Sequence, residues 1–525
     1  MEQNGLKKRY GLFTAIAMVI GIVIGSGVFF KAQSILDATG GDMWTGILAW
    51  IIGGIAMVIC ACTFAVIATK HEKTNGAIDY AEATCGKKYS YYMGWFMATI
   101  YYPAMTSVLA WVSARYFCEL IGWDIAGAEC MTIAGTLLVC SFVLNSLAPK
   151  LSGKFQISTT VIKLIPLLIM IVVGTIYGLA TGITVDNFTA ATNAATGDSG
   201  LFKAIVATAF AYEGWICATS INSEIKDSKK NLPKALLFGS IIIIAIYILY
   251  FIGVAGAAST SDLAASGVTL AVNNIFGNIG GTILTVFVMV SCLGTLNGLT
   301  MGSTRAMYGI ATRDCGPKPD TFKNIDSKTD MPANSCFIGL LCCSLWLLYF
   351  YGAIITEIGG NTPWFGLFSF DSSELPIITI YAFYIPIFIN WMRKEKEESK
   401  FRRFVLPIMA ICACVFMVFC AIMGHGVFPC QAAAESGEFS FPVLFYLIVF
   451  AVIMALGWVL NLKNKNKTND LLTEKVAVEN KEENIENSKE NQEELKKQDE
   501  NNAKQEVLET TKQSKEKKSK LKEKK

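Results

Sequence analysis

The sequence predicts an all-α protein that crosses a membrane about twelve times. Of its 525 residues, 53% are hydrophobic and only 17% are charged. The charges gather in short connecting segments and in a C-terminal tail. Between residues 11 and 462, apolar runs repeatedly reach the ~20 residues that a helix needs to cross ~30 Å of hydrocarbon. These observations indicate a polytopic helical membrane protein.

The predicted spans follow one another with short connections. They lie near residues 11–36, 44–69, 90–118, 130–148, 155–180, 201–221, 234–258, 270–307, 334–354, 364–390, 403–424 and 440–462.

The connections alternate in charge along the chain. One set is basic, as in "EIKDSKKNLPK" and "RKEKEESKFRR", and the other set has almost no basic residues, as in "GWDIAGAE" and "ASTSDLAASG". Basic loops stay in the cytoplasm, so the alternation predicts cytoplasmic termini and an even number of spans. We expect a cytoplasmic N-terminus (1–10), a transmembrane domain (11–462) and a charged, disordered cytoplasmic tail (463–525).

Two predicted spans are interrupted at corresponding places. Gly25-Ser26-Gly27 lies inside the first span and Glu213-Gly214 lies inside the sixth. Interrupted spans in two halves of a chain are typical of a transporter binding site at the interface of inverted repeats. The two inverted repeats would be spans one to five and spans six to ten, and the last two spans would follow them. Small residues are also common where membrane helices pack, but the paired positions favour a functional site.

Several motifs carry a family resemblance. "IGIVIGSGVFF", "FAYEGW" and "GTLNGLTMGSTRAMYG" resemble the first, sixth and eighth spans of the amino acid–polyamine–organocation superfamily, closest to its L-type amino acid transporter branch. The resemblance runs in order over roughly residues 10–460. It implies the leucine-transporter fold, a 5+5 inverted repeat with spans 1 and 6 unwound, which works by alternating access.

The interrupted helices predict how an amino acid would be bound. A broken helix presents free N–H groups at one end and free C=O groups at the other. Irregular backbone at membrane depth is tolerated where it lines a cavity. We therefore expect the N–H groups of Gly25, Ser26 and Gly27 to bind the substrate carboxylate. The acceptors expected for the substrate ammonium are the carbonyls of Ile22, Phe210, Ala211 and Tyr212.

Further site candidates come from the sixth, third and eighth spans. The resemblance implies that Phe210 closes over the substrate as an outer gate. Gly214 belongs to the same break, and Tyr102 and Asn297 are candidate pocket residues. Glu213 is an acid inside a span, where a charge is costly and usually faces the bundle interior. Three roles stay open for it: binding a cationic substrate side chain, relaying a proton, or bridging the unwound backbone.

Other charged residues near the spans have alternative interpretations. In the resembling family, a lysine matching Lys163 stands where sodium-coupled relatives hold a cation. It could tie the fifth span to the broken first span and couple a proton, or its ammonium could snorkel to the cytoplasmic interface. Asp371 and Glu374 could line the cavity, but Asp-Ser-Ser-Glu is also typical of a capping box at a helix start.

The sequence gives little support to other function classes. It has 2 histidines and no metal-ligand spacing, and most of its 16 cysteines lie in apolar runs, where they act as small packing residues. A disulfide between two of Cys118, Cys130 and Cys430 stays open. We expect no cofactor, no nucleic acid and no obligate protein partner, and no nucleophile–base arrangement suggests an enzyme.

The expected partners are therefore an amino acid and the lipid bilayer. The predicted function is Na⁺-independent secondary active transport of amino acids across the cytoplasmic membrane, by exchange or proton symport. The alternatives are an amino acid sensor that does not transport, and a transporter of polyamines or cationic amino acids.

Overall fold

A computed structural model of the chain describes residues 11–71, 76–190, 197–218 and 225–462, together with Val507, Thr510 and Thr511. The predictions for residues 1–10, and for almost all of 463–525, lie outside the described residues. The described residues fold into α-helices with short π-helical turns. The all-α prediction is therefore confirmed.

Among the described residues, nine helices are long and apolar enough to span a membrane, and one bent pair of helices forms a tenth span. Two further helical stretches, at 87–121 and at 197–218, complete the twelve predicted spans. In chain order, spans 1 to 12 are Leu12–Val23 with Gly27–Ala38, Met43–Lys70, 87–121, Ala128–Leu147, Pro149–Thr181, Gly197–Ala211 with Trp215–Ala218, Ser228–Ala255, Thr260–Ala311, Ala333–Ile358, Leu375–Lys394, Phe401–Glu435 and Pro442–Leu462.

Some spans are longer than the hydrophobic runs that predicted them. Span 11 continues to Glu435 through a π-helical turn at Met423–Val427. Span 8 is a 52-residue helix that includes non-helical backbone at Gly267 and Gly277, both with φ of 67°. Its first part is therefore a connecting helix that turns into the span proper. These glycines take a left-handed backbone that side-chain-bearing residues seldom adopt.

Spans 1 and 6 are broken where the glycines predict a break. In span 1 the two helices Leu12–Val23 and Gly27–Ala38 are bent by 53°. In span 6 the helix ends at Ala211 and resumes at Trp215. Gly214 has a φ of 110° in the second break, a conformation that favours glycine.

The polar contacts of the connections separate into two ends of the bundle. At one end, Lys70 lies 3.1 Å from Glu395, and Arg313 pairs with Asp79 and, at 3.0 Å, with Glu82. We call this the basic end, because it joins the connections that carry lysine and arginine.

The connections with few basic residues contact one another instead. The side-chain amide of Asn187, in the connection before span 6, donates to the Ala258 carbonyl at 2.9 Å, and its oxygen accepts from the Thr260 N–H at 3.2 Å. We call this the opposite end. The alternation seen in the sequence thus corresponds to a separation in the fold.

Candidate functional site

The two helix breaks lie directly against each other. A Cβ added to Gly27 would lie 2.6 Å from the Ala211 Cα, and one added to Gly214 would lie 3.2 Å from the Ile22 carbonyl oxygen. Each glycine therefore permits a backbone approach that a larger residue would block. The interrupted segments predicted from the sequence form one continuous region of irregular backbone.

Tyr247, on span 7, joins the two breaks by hydrogen bonds. Its hydroxyl lies 3.0 Å from the Ala211 carbonyl and 3.3 Å from the Val23 carbonyl. Both carbonyls end a helix, where the backbone oxygens have lost their intrahelical partners. Sequence reasoning missed this residue, because a tyrosine in an apolar run gives no sign of which neighbour it faces.

The predicted carboxylate-binding segment already has a protein partner. The Ser26 N–H donates to Thr295 Oγ1 of span 8 at 3.2 Å, and a Cβ on Gly25 would lie 2.9 Å from the same oxygen. In this conformation the Thr295 side chain packs against Gly25, and the Ala211 backbone packs against Gly27. Their role toward a ligand stays a prediction, and a bound carboxylate would replace the Thr295 hydroxyl at Ser26.

The predicted carbonyl acceptors are also partly occupied. The Ala211 carbonyl accepts from Tyr247 Oη, and the Phe210 carbonyl accepts from the Glu213 N–H at 3.3 Å. The Ile22 carbonyl faces Gly214, and the Ile22 side chain is partly exposed. Each carbonyl oxygen has two lone pairs, so these bonds leave room for a second donor, and the ammonium role stays a prediction.

Phe210 lies in an aromatic layer on the opposite-end side of the breaks. Its ring centroid is 6.1 Å from that of Phe30, which packs against Trp111 at 6.3 Å. Only 7% of Phe210 is exposed. This position suits the predicted outer gate, and the layer is closed in this conformation.

Glu213 is tied to span 3. Tyr101 Oη donates to Glu213 Oε1 at 2.5 Å, which is short for a hydrogen bond to a carboxylate. This contact ties the carboxylate to a side chain of span 3 and not to backbone N–H groups, so the three roles left open for Glu213 all stay predictions. Glu213 as a residue is partly exposed beside the break.

The tyrosine that reaches Glu213 is Tyr101, which precedes the predicted pocket residue Tyr102. Tyr102 instead packs on Gly302 of span 8, where an added Cβ would lie 2.6 Å from the ring. Adjacent helical positions point about 100° apart. Span 3 also contains a π-helical turn at Met97–Tyr101, which changes the facing of the residues around it.

Asn297 belongs to a buried polar cluster among spans 4, 5 and 8. Its side-chain oxygen accepts from Asn145 at 2.9 Å and Ser152 at 3.0 Å, and its nitrogen donates to Gln156 at 2.9 Å. These bonds use its amide to hold helices together. The span 8 residue that contacts the break is Thr295, which precedes Asn297 by two positions in "GTLNG".

Lys163 reaches the break of span 1 from span 5. Its ammonium donates to the Gly21 carbonyl at 2.6 Å, and the residue is 5% exposed. The snorkelling arrangement is therefore not adopted. The contact places a positive charge against a carbonyl near the end of the first half of span 1.

Asp371 and Glu374 do not form a capping box, because both pair with Lys31. Glu374 Oε1 lies 2.6 Å from Lys31 Nζ, and its other oxygen lies 2.8 Å from His425 Nε2. Asp371 lies 3.4 Å from Lys31 and accepts from the Ser373 N–H at 2.6 Å. We call Lys31, Asp371, Ser373, Glu374 and His425 the Lys31 cluster.

The Lys31 cluster was not predicted, although it had a signal. Lys31 lies inside the predicted span 11–36, and an ionisable residue inside a span usually pairs with another. Its partner Glu374 is more than 300 positions from Lys31 in the sequence. Only the fold shows that the two meet.

Two of the three cysteines considered for a disulfide lie side by side. Cys118 and Cys130 are both fully buried, and their side chains interact as thiols. Cys430 lies on span 11 and is also a free thiol. Within the described residues, no group of three or more His, Cys, Asp or Glu is arranged to hold a metal ion.

The family comparison agrees with this geometry. A family model described as amino acid permease matches residues 10–453. The chain belongs to the amino acid permease family. The sequence resemblance is therefore confirmed, and this permease is a multi-pass membrane protein that acts as an amino acid transporter or exchanger.

Individual relatives extend the comparison. The serine/threonine exchanger SteT of Bacillus subtilis (strain 168) is 32% identical over 421 residues, which cover 78% of this permease and 90% of SteT. The human b(0,+)-type amino acid transporter 1 is 24% identical over 431 residues, covering 80% of this permease and 84% of that relative.

A solved structure supports the fold. The crystal structure of MhsT in complex with L-phenylalanine matches with a TM-score of 0.51 at 14% identity, covering 79% of this permease and all of that chain. At this identity the match concerns the fold alone. It confirms the leucine-transporter fold, with its inverted repeats and its unwound spans 1 and 6.

Proposed function

We propose that this permease is a Na⁺-independent amino acid exchanger of the cell membrane that works by alternating access. The basic end would face the cytoplasm, because loops rich in lysine and arginine are retained there. Residues 11–462 would form the transport domain, with cytoplasmic segments at 1–10 and 463–525. The opposite end, including the Phe210 layer, would then face outward.

The Lys163 contact carries the proposal of Na⁺ independence. Its ammonium is buried and lies 2.6 Å from the Gly21 carbonyl at the broken span. An ammonium there does for the carbonyl what a bound Na⁺ would do. A second positive charge nearby would be repelled strongly, because the medium is of low dielectric.

The two facing breaks support an amino acid as substrate. The Ser26 N–H, now bonded to Thr295, is a donor that can exchange a hydroxyl for a carboxylate. A polyamine has no carboxylate and could not use this donor. SteT is a serine/threonine exchanger, so small hydroxylated amino acids are the first substrates to test.

Proton symport is the second candidate mechanism, and Lys163 and Glu213 favour it. Both are ionisable groups within spans. Lys163 contacts the Gly21 carbonyl next to the break of span 1, and Glu213 lies in the break of span 6, where it accepts from Tyr101. A proton that moved with the substrate could reside on either group. Exchange and symport differ in what drives net uptake, so they can be separated in liposomes.

The deciding experiment uses purified permease in proteoliposomes with labelled serine outside. In Na⁺-free buffer, exchange predicts uptake only when unlabelled amino acid is present inside. Symport predicts uptake into empty liposomes when a pH gradient is imposed. A requirement for external Na⁺ would overturn the proposal as a whole.

A further inference from the structure

A polar network lies one helical turn beyond the Phe210 layer, toward the opposite end of the bundle. Gln33 follows Phe30 by three positions on span 1, and Arg115 follows Trp111 by four positions on span 3. Residues at these spacings are neighbours on one face of a helix. The Arg115 guanidinium carbon lies 5.8 Å from the Trp111 ring centroid, within the range of cation–π attraction. The network therefore lies against the opposite-end face of the aromatic layer.

The Gln33 side chain joins three elements of the fold. Its Oε1 accepts from Arg115 Nη2 at 2.9 Å, and its Nε2 donates to the carbonyls of Ala264 at 2.9 Å and Ala265 at 3.1 Å. A guanidinium only donates and a carbonyl only accepts, so these partners fix which way the amide points. A glutamate at this position could accept from Arg115, but its ionised carboxylate could not donate to the two carbonyls.

The two acceptor carbonyls belong to the connecting helix that precedes span 8 (260–276). The backbone of Gly267 within this helix is non-helical, with a φ of 67°. Carbonyls in the last turn before such an interruption lack intrahelical partners, so Ala264 and Ala265 lie where a donor from outside the helix is needed. A Cβ added to Gly267 would lie 2.6 Å from Gln33 Oε1, so this glycine also leaves room for the Gln33 side chain.

A second contact holds the connecting helix to span 3. Glu119 Oε1 accepts from Arg115 Nε at 2.7 Å, and Glu119 Oε2 accepts from the Thr269 hydroxyl at 2.5 Å. The Arg115 and Glu119 side chains are 10% and 15% exposed. Their opposite charges compensate each other, so the pair adds no net charge to this mostly buried region. We call these four side chains the Gln33 network: Gln33, Arg115, Glu119 and Thr269.

Within the Gln33 network, Gln33 is the member that lies on the broken span 1. Arg115 and Glu119 belong to span 3, and Thr269 belongs to the connecting helix, so these three bond one another without Gln33. Alternating access moves one part of such a bundle against another around the binding site. Resting on the alternating access and the outward orientation proposed above, opening of the opposite end would carry the second half of span 1 away and break the bonds of Gln33.

We propose that Gln33 is a positioning residue for transport, which keeps the Phe210 layer closed by holding the second half of span 1 against span 3 and the connecting helix. Each transport cycle breaks these bonds when the opposite end opens and remakes them when it closes. Loss of the Nε2 donor removes bonds that exist only in the closed state. It therefore shifts the empty permease toward the state that is open at the opposite end.

The test measures the opening of each end in the absence of substrate. Hydrogen exchange of the full-length permease in nanodiscs is followed by mass spectrometry, because it reports local opening of the backbone. We expect segments 27–38 and 260–276 to exchange at least threefold faster in Gln33→Ala than in the parent chain. Gln33→Glu, which keeps the size of the side chain but loses the donor, should show the same increase.

Two comparisons separate opening of one end from a general loss of stability. Helix Ala77–Cys85 lies at the basic end, where Asp79 pairs with Arg313. Since alternating access opens one end at a time, this helix should exchange no faster in either Gln33 variant. Thr282→Ala removes a bond to the Asn278 carbonyl within one helix, at 2.7 Å, and this variant should exchange as the parent chain does.

Three results would overturn the proposed role of Gln33. They are parent-like exchange rates in Gln33→Glu, faster exchange at both ends in the Gln33 variants, and the same increase in Thr282→Ala. No transport is measured in this experiment. A requirement for Na⁺ or uptake driven by a pH gradient in proteoliposomes would therefore overturn the proposed exchanger without changing this result.

Discussion

The close approach of the two breaks makes Gly27→Ala the most informative single substitution. The added Cβ would lie 2.6 Å from the Ala211 Cα, which is backbone and cannot rotate away. Carbon atoms pack at about 3.5–4.0 Å, so spans 1 and 6 must separate by about 1 Å. Overpacking of this kind costs about 1–3 kcal/mol.

This overpacking destabilises the conformational state in which the breaks of spans 1 and 6 are in contact. A loss of about 1–3 kcal/mol shifts an equilibrium by about 5- to 150-fold. We therefore expect Gly27→Ala to lower the exchange rate in proteoliposomes by at least fivefold, with a lower melting temperature in detergent. The assay compares initial rates at equal amounts of reconstituted protein.

Gly135→Ala is the matched control for this substitution. Gly135 lies within span 4, and an added Cβ meets nothing within 4 Å. Alanine favours a helix interior over glycine by about 1 kcal/mol, so this variant should be as stable as the parent or more so. The reasoning would be refuted if Gly27→Ala transported as well as Gly135→Ala.

Three further substitutions test individual contacts. Lys163→Ala should still reach the membrane but should lose uptake, because the Gly21 carbonyl loses its buried cation. Full uptake would show that the 2.6 Å contact between Lys163 and Gly21 has no role in transport. Tyr101→Phe leaves Glu213 without its 2.5 Å donor, which should cost about 1–3 kcal/mol and lower both exchange rate and melting temperature; unchanged melting would contradict the bridging role. Asn297→Ala removes four hydrogen bonds of the buried cluster among spans 4, 5 and 8, so the melting temperature should fall while the KM for serine stays constant. A raised KM with normal melting would restore Asn297 to the substrate site.

The sequence predicts the helix breaks well because their cause is local. Glycine at positions 25, 27 and 214 disfavours regular helix, and the structure breaks both spans at these residues. Lys163 was similarly identifiable, since a lysine inside a span needs a partner. The identity of that partner, the Gly21 carbonyl, depends on how span 5 packs against span 1.

The remaining site residues depend on helix rotation and on distant packing. The π-helical turn at Met97–Tyr101 affects which of the adjacent residues Tyr101 and Tyr102 reaches Glu213. No local sequence pattern predicts this turn. Asn297 and Thr295 lie on one helix, yet Thr295 contacts the break and Asn297 binds spans 4 and 5. The Lys31 cluster joins span 1 to the start of span 10 and to span 11, which follow it by more than 300 positions, so its members could be named individually but not as a group.

The proteoliposome assay with labelled serine tests the central claim most directly. In Na⁺-free buffer without a pH gradient, the account predicts rapid uptake into liposomes loaded with unlabelled serine and none into empty ones. Equal uptake into empty liposomes driven by a pH gradient alone, or uptake that requires Na⁺, would contradict exchange.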